Sequence, residues 1–242
     1  MKLSKTVAIL LIGLLTAACM AAPDLATVHG NGIIEVKTAS YELSFFPGCM
    51  FPFRLKTGGR TLPEPVWLDR IVGMDGKQYY LNIDRFAERR IVTSTDREFC
   101  VEMSGTYCLD DDVSIPGKVQ AVYRYKCRPD GIEVDVRISN PEGILWKEVH
   151  VLMPGWKNNP WERFAADDPS RTANKQGTLQ SKQYVSAISA DTAITLYSDC
   201  VTGYTNPQNK YYCYLSAFRR SNWRDTAIEV RNLKIKFTVN AE

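Results

Sequence analysis

Apolar and polar residues alternate along much of this chain. Apolar side chains occupy every second position of Lys118–Cys127 and of Ile132–Ser139, and mostly polar residues fill the positions between them. A period of two is typical of half-buried β-strands. Arg128-Pro129-Asp130-Gly131 lies between the two segments, and its proline and glycine favour a tight turn. The pattern therefore predicts a β-hairpin.

The same alternation predicts a strand over Leu233–Asn240, and nine further segments predict strands: Gly32–Lys37, Tyr41–Phe46, Gln78–Ile83, Arg90–Thr95, Glu98–Ser104, Leu145–Met153, Gln183–Ile188, Ala193–Tyr197 and Tyr211–Phe218. No long segment has the i, i+3, i+4, i+7 spacing of an amphipathic helix. We therefore expect an all-β protein, a large antiparallel β-sandwich formed by residues 23–242 as one domain. Gly58–Val66 and Pro154–Ser181 lack the alternation and are expected to be loops.

The first 22 residues differ from the rest of the chain. Lys2 and Lys5 precede the apolar run Val7–Leu15, and small residues follow it. This run is too short for a stable membrane anchor and is typical of a secretory signal peptide. We expect cleavage near Ala21 or Ala22, a secreted or periplasmic location, and no transmembrane segment afterwards. The alternative is a lipoprotein anchored through Cys19, because Leu15–Cys19 resembles a lipobox with its leucine one position early.

Charge and motif content exclude several classes of function. Removal of residues 1–22 takes two lysines and no acidic residue, so 28 basic and 27 acidic residues remain and the net charge is +1. A chain this close to neutral has no electrostatic footprint for nucleic acid. His29 and His150 are the two histidines, and Asp110-Asp111-Asp112 lacks the spacing of an EF-hand. We expect no metal, and the sequence contains no phosphate-binding or nucleophile motif that implies a cofactor.

Six of the seven cysteines follow the signal peptide. An even number in an exported chain favours disulfides. The candidates are pairs within Cys100, Cys108 and Cys127, and a pair between Cys200 and Cys213. The alternative is that several of these cysteines are buried free thiols, since cysteine also behaves as a small apolar residue.

The segment Trp146–Arg163 holds three of the five tryptophans together with several polar residues. Sugar-binding sites use this mixture, because an aromatic ring stacks on the apolar face of a pyranose and polar side chains bind its hydroxyls. An oligo- or polysaccharide ligand is therefore expected, and the residues expected to bind it are Trp156, Asn158, Asn159, Trp161 and Arg163. The alternative is that these tryptophans belong to the core.

Three residues of this segment are candidates for acid–base chemistry: Glu148, His150 and Glu162. Alternation along the strand places Glu148 and His150 on one face. A carboxylate beside an imidazole can act as a general acid–base pair. The alternative for His150 is a histidine that is hydrogen-bonded within a sheet.

The segment Lys118–His150 resembles the galactose mutarotase-like β-supersandwich over about 35 residues. The resemblance is carried by the tyrosine-bearing strand Val122–Tyr125, the turn, the strand Ile132–Asn140 and His150. It implies a supersandwich fold. Mutarotase chemistry is not expected, because this chain has His150-Val151-Leu152-Met153-Pro154 where the family's enzymes have His-x-Tyr-Phe-Asn. Those enzymes also need an earlier histidine, and residues 30–149 contain none. The family's fold also serves as an accessory domain in polysaccharide lyases and glycoside hydrolases.

Together these features predict an exported protein of a bacterial envelope that binds or processes carbohydrate. If it is an enzyme, the resemblance implies an activity of the lyase or hydrolase type. The alternative is a structural or protein-interaction module of the envelope without a small-molecule site. The positions of Trp146, Trp156 and Trp161 separate the two hypotheses, because a shared groove favours sugar and burial of all three favours the module.

Overall fold

A computed structural model describes residues 24–52, 54–57, 59–81, 87–109, 118–167, 172–174, 177–199, 201–205 and 213–239. The predicted signal peptide with Cys19, the Asp110–Asp112 run and Cys200 lie outside these residues. The described part of the chain forms strands and no α-helix. It accordingly contains no helix with the length and apolarity of a membrane span.

Twenty-three strands make up the described structure. They are β1 Ala26–Val28, β2 Ile34–Lys37, β3 Glu42–Phe45, β4 Arg54–Thr57, β5 Arg60–Thr61, β6 Val66–Trp67, β7 Arg70–Gly73, β8 Gln78–Tyr80, β9 Glu88–Ser94, β10 Phe99–Thr106, β11 Gln120–Arg128, β12 Gly131–Ser139, β13 Trp146–Val151, β14 Pro154–Trp156, β15 Arg163–Ala166, β16 Thr172–Asn174, β17 Gly177–Ser181, β18 Tyr184–Ile188, β19 Thr192–Tyr197, β20 Val201–Thr205, β21 Cys213–Ser216, β22 Phe218–Trp223 and β23 Ala227–Val239.

These strands pair antiparallel in four sheets. The largest has nine strands in the order β16-β15-β18-β19-β23-β12-β11-β10-β9. The others have the orders β1-β2-β3-β4-β5, β22-β13-β7-β8 and β17-β20-β21-β14-β6. The predicted fold class, all-β and antiparallel, is confirmed.

The predicted hairpin is formed by β11 and β12. Their register runs from Gln120 opposite Ser139 to Arg128 opposite Gly131, so the turn is where the sequence places it. Gly131 has a φ of +152°, and a Cβ there would lie 2.8 Å from the carbonyl oxygen of Ile235. Glycine is therefore required both by the backbone conformation and by the close approach of β23.

The core lies against the inner face of the nine-stranded sheet. Tyr123 and Tyr125 of β11 are fully buried. The ring of Tyr125 packs edge to face against that of Phe45 of β3, with 5.3 Å between the ring centroids. Phe51 contacts Tyr123 on one side and stacks on Trp67 at 4.9 Å on the other. One buried apolar cluster thus includes residues from all four sheets, as a sandwich requires.

The outer face of the nine-stranded sheet carries ion pairs between neighbouring strands. Glu102 bridges Arg90 and Arg124 at 2.9 Å each, and Lys126 contacts Asp135 at 2.7 Å. Cross-strand neighbours of opposite charge support a sheet in this way. The charges on this face therefore neutralise one another.

Three neighbouring strands bend together where two of the sheets meet. The chain passes from β6 to β7 through Leu68 and Asp69, from β13 to β14 through Leu152 and Met153, and from β21 to β22 through Ala217. In each sheet the three strands are adjacent and in the same order. Backbone hydrogen bonds from Leu68 to Met153 and from Ala217 to Leu152 continue the pairing across the bend.

The buried side chain of Asp69 stabilises this bend. Its side chain is fully buried and accepts hydrogen bonds from the N–H groups of Leu152 and Met153 and from the hydroxyl of Tyr123. Leu152 has a φ of +49°, which is uncommon for a residue with a branched side chain. The carboxylate therefore satisfies two backbone donors that the turn removes from the β-ladder.

Both predicted loops contain strands, so these predictions were wrong. Pro154–Ser181 includes β14 to β17, and Gly58–Val66 includes β5 and the start of β6. Tyr211–Phe218 was predicted as one strand. Its first two residues lie outside the described residues, and the rest contains β21 and the first residue of β22, with Ala217 at the bend between them. Strands of two or three residues, such as β5, β6, β14 and β16, are too short to show a period of two, and partners distant in sequence fix them.

The cysteines do not form the disulfides proposed within Cys100, Cys108 and Cys127. Cys127 lies opposite Phe99 and Cys100 lies opposite Lys126, so these two free thiols occupy opposite faces of the sheet. Cys108 lies beyond the other end of β10, where its Sγ donates to the carbonyl of Thr106 at 3.5 Å. Cys213 is a buried free thiol whose pKa burial raises to about 12. Its proposed partner, Cys200, lies outside the described residues.

Candidate functional site

The three tryptophans expected at a sugar site are buried in the core. The exposed fractions of Trp146, Trp156 and Trp161 are 3%, 2% and 3%. Trp156 meets Trp161 edge to face at 5.1 Å, and its indole nitrogen donates to the carbonyl of Pro63. Neither indole ring therefore faces solvent, which corrects the exposed position that the sequence predicts for Trp156 and Trp161. β14 lies between β21 and β6 inside a sheet, so its side chains pack against the core.

The polar residues around these tryptophans do not converge either. Asn158 and Asn159 have positive φ values of 62° and 36° and shape the turn that leaves β14. The side-chain oxygen of Asn159 accepts the N–H of Trp161. Glu162 and Arg163 are exposed, and their side chains make no hydrogen bond or ion pair within the described residues. The predicted binding set is thus a structural turn followed by solvent-facing charges.

Glu148 and His150 lie side by side on β13, on the face where alternation predicts them. His150 Nε2 is 2.9 Å from Glu148 Oε2, and the histidine is 4% exposed. This hydrogen bond assigns the ring proton to Nε2 and leaves Nδ1 as an acceptor. Nδ1 is buried without a hydrogen-bond partner in the described structure.

Two arginines flank this pair on the neighbouring strands. His150 lies opposite Arg219 of β22 on one side and Arg70 of β7 on the other. Arg219 donates to Glu148 Oε1 at 2.6 Å, so both carboxylate oxygens have partners. Arg70 makes no ion pair with the described residues, and its Nε is buried without a hydrogen-bond partner. Two unpartnered buried polar atoms therefore lie on cross-strand neighbours.

Tyr214 lies on β21, across the bend from β22, and adds an aromatic ring to these residues. The charges of Arg70, Arg219 and Glu148 all act on its phenol, although burial is the main reason that its pKa is raised. Its ring stacks on that of Tyr204, with 5.1 Å between centroids and 27° between planes. We call the group formed by Arg70, Glu148, His150, Tyr214 and Arg219 the polar cluster.

The surroundings set the protonation states of the polar cluster. Burial is the largest influence on Glu148 and would raise its pKa, but hydrogen bonds from His150 and Arg219 outweigh it and hold the pKa below its usual range. Burial lowers the pKa of His150, and the nearby charge of Arg70 adds to this effect against the hydrogen bond to Glu148. At neutral pH the cluster therefore contains a carboxylate, a neutral imidazole and two guanidinium groups.

Asp69 directly precedes Arg70, the first residue of β7. Burial, partly offset by the hydrogen bonds from Tyr123, Met153 and Leu152, raises its pKa to about 6. Its hydrogen bonds to the N–H groups of Leu152 and Met153 fix the bend next to Arg70. The sequence Val66–Val72 signals both Asp69 and Arg70, since they are two charged residues within an otherwise apolar run.

An open groove of about 470 Å³ on the outer face of the nine-stranded sheet is lined by Glu102, Arg124, Asp135, Arg137, Glu229 and Arg231. Its charges pair with one another, for example Arg231 with Glu229 at 2.9 Å. Within the described residues no group of three or more His, Cys, Asp or Glu side chains is placed to hold a metal ion.

Solved structures of low sequence identity share the fold. An alpha-mannosidase from Enterococcus faecalis matches with a TM-score of 0.59 and 9% identity over 89% of this chain. A 4-alpha-glucanotransferase from Thermococcus litoralis matches with a TM-score of 0.55 and 9% identity over 93% of this chain. The chain spans 30% and 42% of those two proteins, so it corresponds to a part of each.

Galactose mutarotase-like proteins are also among the similar structures, as the resemblance in the sequence implies. One from Lactobacillus casei matches with a TM-score of 0.49 and 11% identity, over 86% of this chain and 100% of its own. No protein-family profile matches the chain. No curated protein sequence matches it either. These likenesses show the fold alone.

Proposed function

We propose that this chain is an exported carbohydrate-binding protein of a bacterial envelope and that the polar cluster is its binding site. The single observation that carries the proposal is the pair of buried, unpartnered polar atoms, Arg70 Nε and His150 Nδ1, on adjacent strands. A buried polar atom without a partner calls for an explanation. Five other such atoms occur among the described residues, but this pair alone lies on directly opposed residues of neighbouring strands. One is a donor and the other an acceptor, and sugar hydroxyls can serve both.

The chemistry around these atoms suits a saccharide. Glu148 and Arg219 add a fixed carboxylate and guanidinium, and Tyr214 adds a half-buried ring backed by Tyr204. Aromatic rings beside convergent polar groups are the usual composition of sugar sites. Similar folds in a mannosidase and a glucanotransferase are consistent with this function.

Binding is better supported than catalysis. Both oxygens of Glu148 already have partners, and its lowered pKa keeps it ionised, so it is a poor general acid at neutral pH. His150 is 4% exposed and hydrogen-bonded to Glu148, which makes it a positioning residue. The third predicted catalytic residue, Glu162, is exposed and makes no side-chain contact with this pair.

The alternative, a protein-interaction module, is favoured by burial of the three tryptophans and by the edge strand β9. Ile91 and Val92 are consecutive on this edge and are 43% and 45% exposed. Exposed apolar residues on an unpaired edge can recruit another strand. A pull-down that depends on Ile91 and Val92, in a protein that binds no saccharide, would establish this alternative.

The test of the proposal is a glycan array followed by calorimetric titration of the bound saccharides. Tyr214→Ala should weaken binding about tenfold through loss of the aromatic wall. Tyr197→Ala is the matched control, since Tyr197 forms a similar ring pair with Tyr184 in the nine-stranded sheet. Thermal melts check that both variants fold. Equal binding by the two variants, or silence across the array, would contradict the proposal.

The location is tested on the purified protein by mass spectrometry of its N-terminus. Cleavage near Ala21 or Ala22 corresponds to a secreted or periplasmic form. A diacylglyceryl group on Cys19 corresponds to the lipoprotein. Recovery of intact Met1 from the producing cell would contradict export.

A further inference from the structure

The charges in the polar cluster do not balance. Glu148 is neutralised by Arg219 at 2.6 Å, and His150 is neutral because burial lowers its pKa. Among the described residues Arg70 therefore has no compensating carboxylate, and its charge lies in a half-buried position. On the outer face of the nine-stranded sheet the situation differs, since Arg90, Arg124 and Arg128 each have a carboxylate partner within 2.9 Å.

The position and hydrogen bonding of the Arg70 guanidinium also suit it to bind a ligand. Its Nε is buried without a hydrogen-bond partner among the described residues, and so is that of Arg124, but Arg124 has a carboxylate partner and Arg70 has none there. It lies opposite His150 on the neighbouring strand, and its charge acts on both His150 and Tyr214. A guanidinium in such a place binds an oxyanion through two parallel hydrogen bonds.

We infer that the ligand is an acidic saccharide and that Arg70 binds its anionic group. This inference rests on the proposed function and specifies its ligand class. The anionic group is a carboxylate, as in a uronic acid, or a sulfate ester, since both present oxygens to the guanidinium fork. The ring of the same sugar contacts Tyr214, and its hydroxyls reach the Glu148–Arg219 pair.

The experiment compares matched acidic and neutral sugars by calorimetric titration. The pairs are methyl glucuronide with methyl glucoside, methyl galacturonide with methyl galactoside, and glucose 6-sulfate with glucose. The protein should bind the acidic member of at least one pair about tenfold more tightly, with an advantage that decreases as salt is added. The uronate and sulfate arms identify which anion Arg70 prefers.

Variants assign the preference to Arg70. Arg70→Gln should reduce the difference between acidic and neutral partners to within about twofold. Arg70→Lys keeps the charge without the fork and should retain part of the preference, which also decides the matter if Arg70→Gln does not fold. Arg97→Gln, an exposed arginine on the turn between β9 and β10, is the matched control and should leave the preference unchanged.

Each remaining outcome overturns a different statement. Equal binding of acidic and neutral partners by the unmodified protein overturns the inference and leaves the proposed function standing. A preference that persists in Arg70→Gln or is lost in Arg97→Gln shows that Arg70 does not bind the anion. Binding of no sugar in any pair or on the glycan array overturns the proposed function as well.

Discussion

Two regions of the molecule hold its unusual side chains, and the structure treats them in opposite ways. Trp146–Arg163 is dense in aromatic and polar residues along the sequence, yet its tryptophans are buried and its last polar residues face solvent separately. The polar cluster is dispersed along the sequence, yet cross-strand pairing brings Arg70, His150 and Arg219 together. The two regions share only Glu148 and His150.

The difference shows what each kind of signal reports. Tryptophan contributes so much apolar area that a local concentration of it predicts burial at least as well as it predicts a site. Both regions contain a buried polar atom without a partner, since Trp161 Nε1 is one as well, and the polar cluster differs in having two of them on directly opposed residues. A site formed across strands is visible only when the register of the sheet is known.

The largest expected effect tests whether Trp156 belongs to the core or to the binding site. Trp156→Ala removes a buried indole from the contact with Trp161 and should lower the free energy of unfolding by about 3–5 kcal/mol. Saccharide binding per folded molecule should remain unchanged. Urea denaturation and titration below the melting temperature measure the two quantities. An unchanged melting temperature with lost binding would restore Trp156 to the site.

The next effect concerns the bend that supports the polar cluster. The pKa of Asp69 is about 6 in the folded protein, against 3.8 for the free side chain. Because the folded state binds this proton more tightly, the stabilising contribution is complete below the unfolded pKa and is lost as pH rises through the folded value. Between about pH 4 and about pH 7 the free energy of unfolding therefore falls by about 3 kcal/mol, since each unit of pKa difference corresponds to about 1.36 kcal/mol.

Asp69→Asn removes this titration. The difference in unfolding free energy between the unmodified protein and the variant, measured in urea at several pH values, should therefore change across that range. Taking the difference cancels the other titrating groups, including His150. A constant difference would show that Asp69 does not titrate in the folded protein near pH 6.

A smaller effect distinguishes Glu148 from Glu162, the two carboxylates predicted from the sequence to take part in acid–base catalysis. Glu148→Gln breaks the ion pair with Arg219 and should weaken saccharide binding about tenfold, since hydrogen bonds to charged groups contribute about 1.5–3 kcal/mol. Glu162→Gln alters an exposed carboxylate outside the cluster and should change binding and stability by less than about 0.5 kcal/mol. Equal losses of binding in both variants would place the site nearer to Glu162.

Sequence patterns predict the hairpin well but only the second half of β23, the longest strand of the described residues. β11 and β12 each run for nine residues, and their period of two, with proline and glycine in the turn, determines both strands and their register. β14 and β6 have three and two residues, and their positions depend on partners elsewhere in the chain. For such short strands local sequence carries little information.

The candidate site is predictable only in part for the same reason. Alternation along β13 predicts that Glu148 and His150 share a face, which the structure shows. Nothing local relates them to Arg70 or Tyr214, because those contacts depend on the order of strands in two sheets and on the bend between them. The run Val66–Val72 holds the only local hint, a pair of charges among apolar residues.

The most direct measurement is a map of amide chemical shifts by nuclear magnetic resonance while the best saccharide from the array is titrated into the protein. If the polar cluster is the binding site, shifts will change along β7, β13 and β22 and around Tyr214. The turn at Asn158 and Asn159 and the outer face of the nine-stranded sheet will remain unaffected. Changes confined to either of those two surfaces, with none at Arg70, His150 and Tyr214, would contradict the assignment of the site.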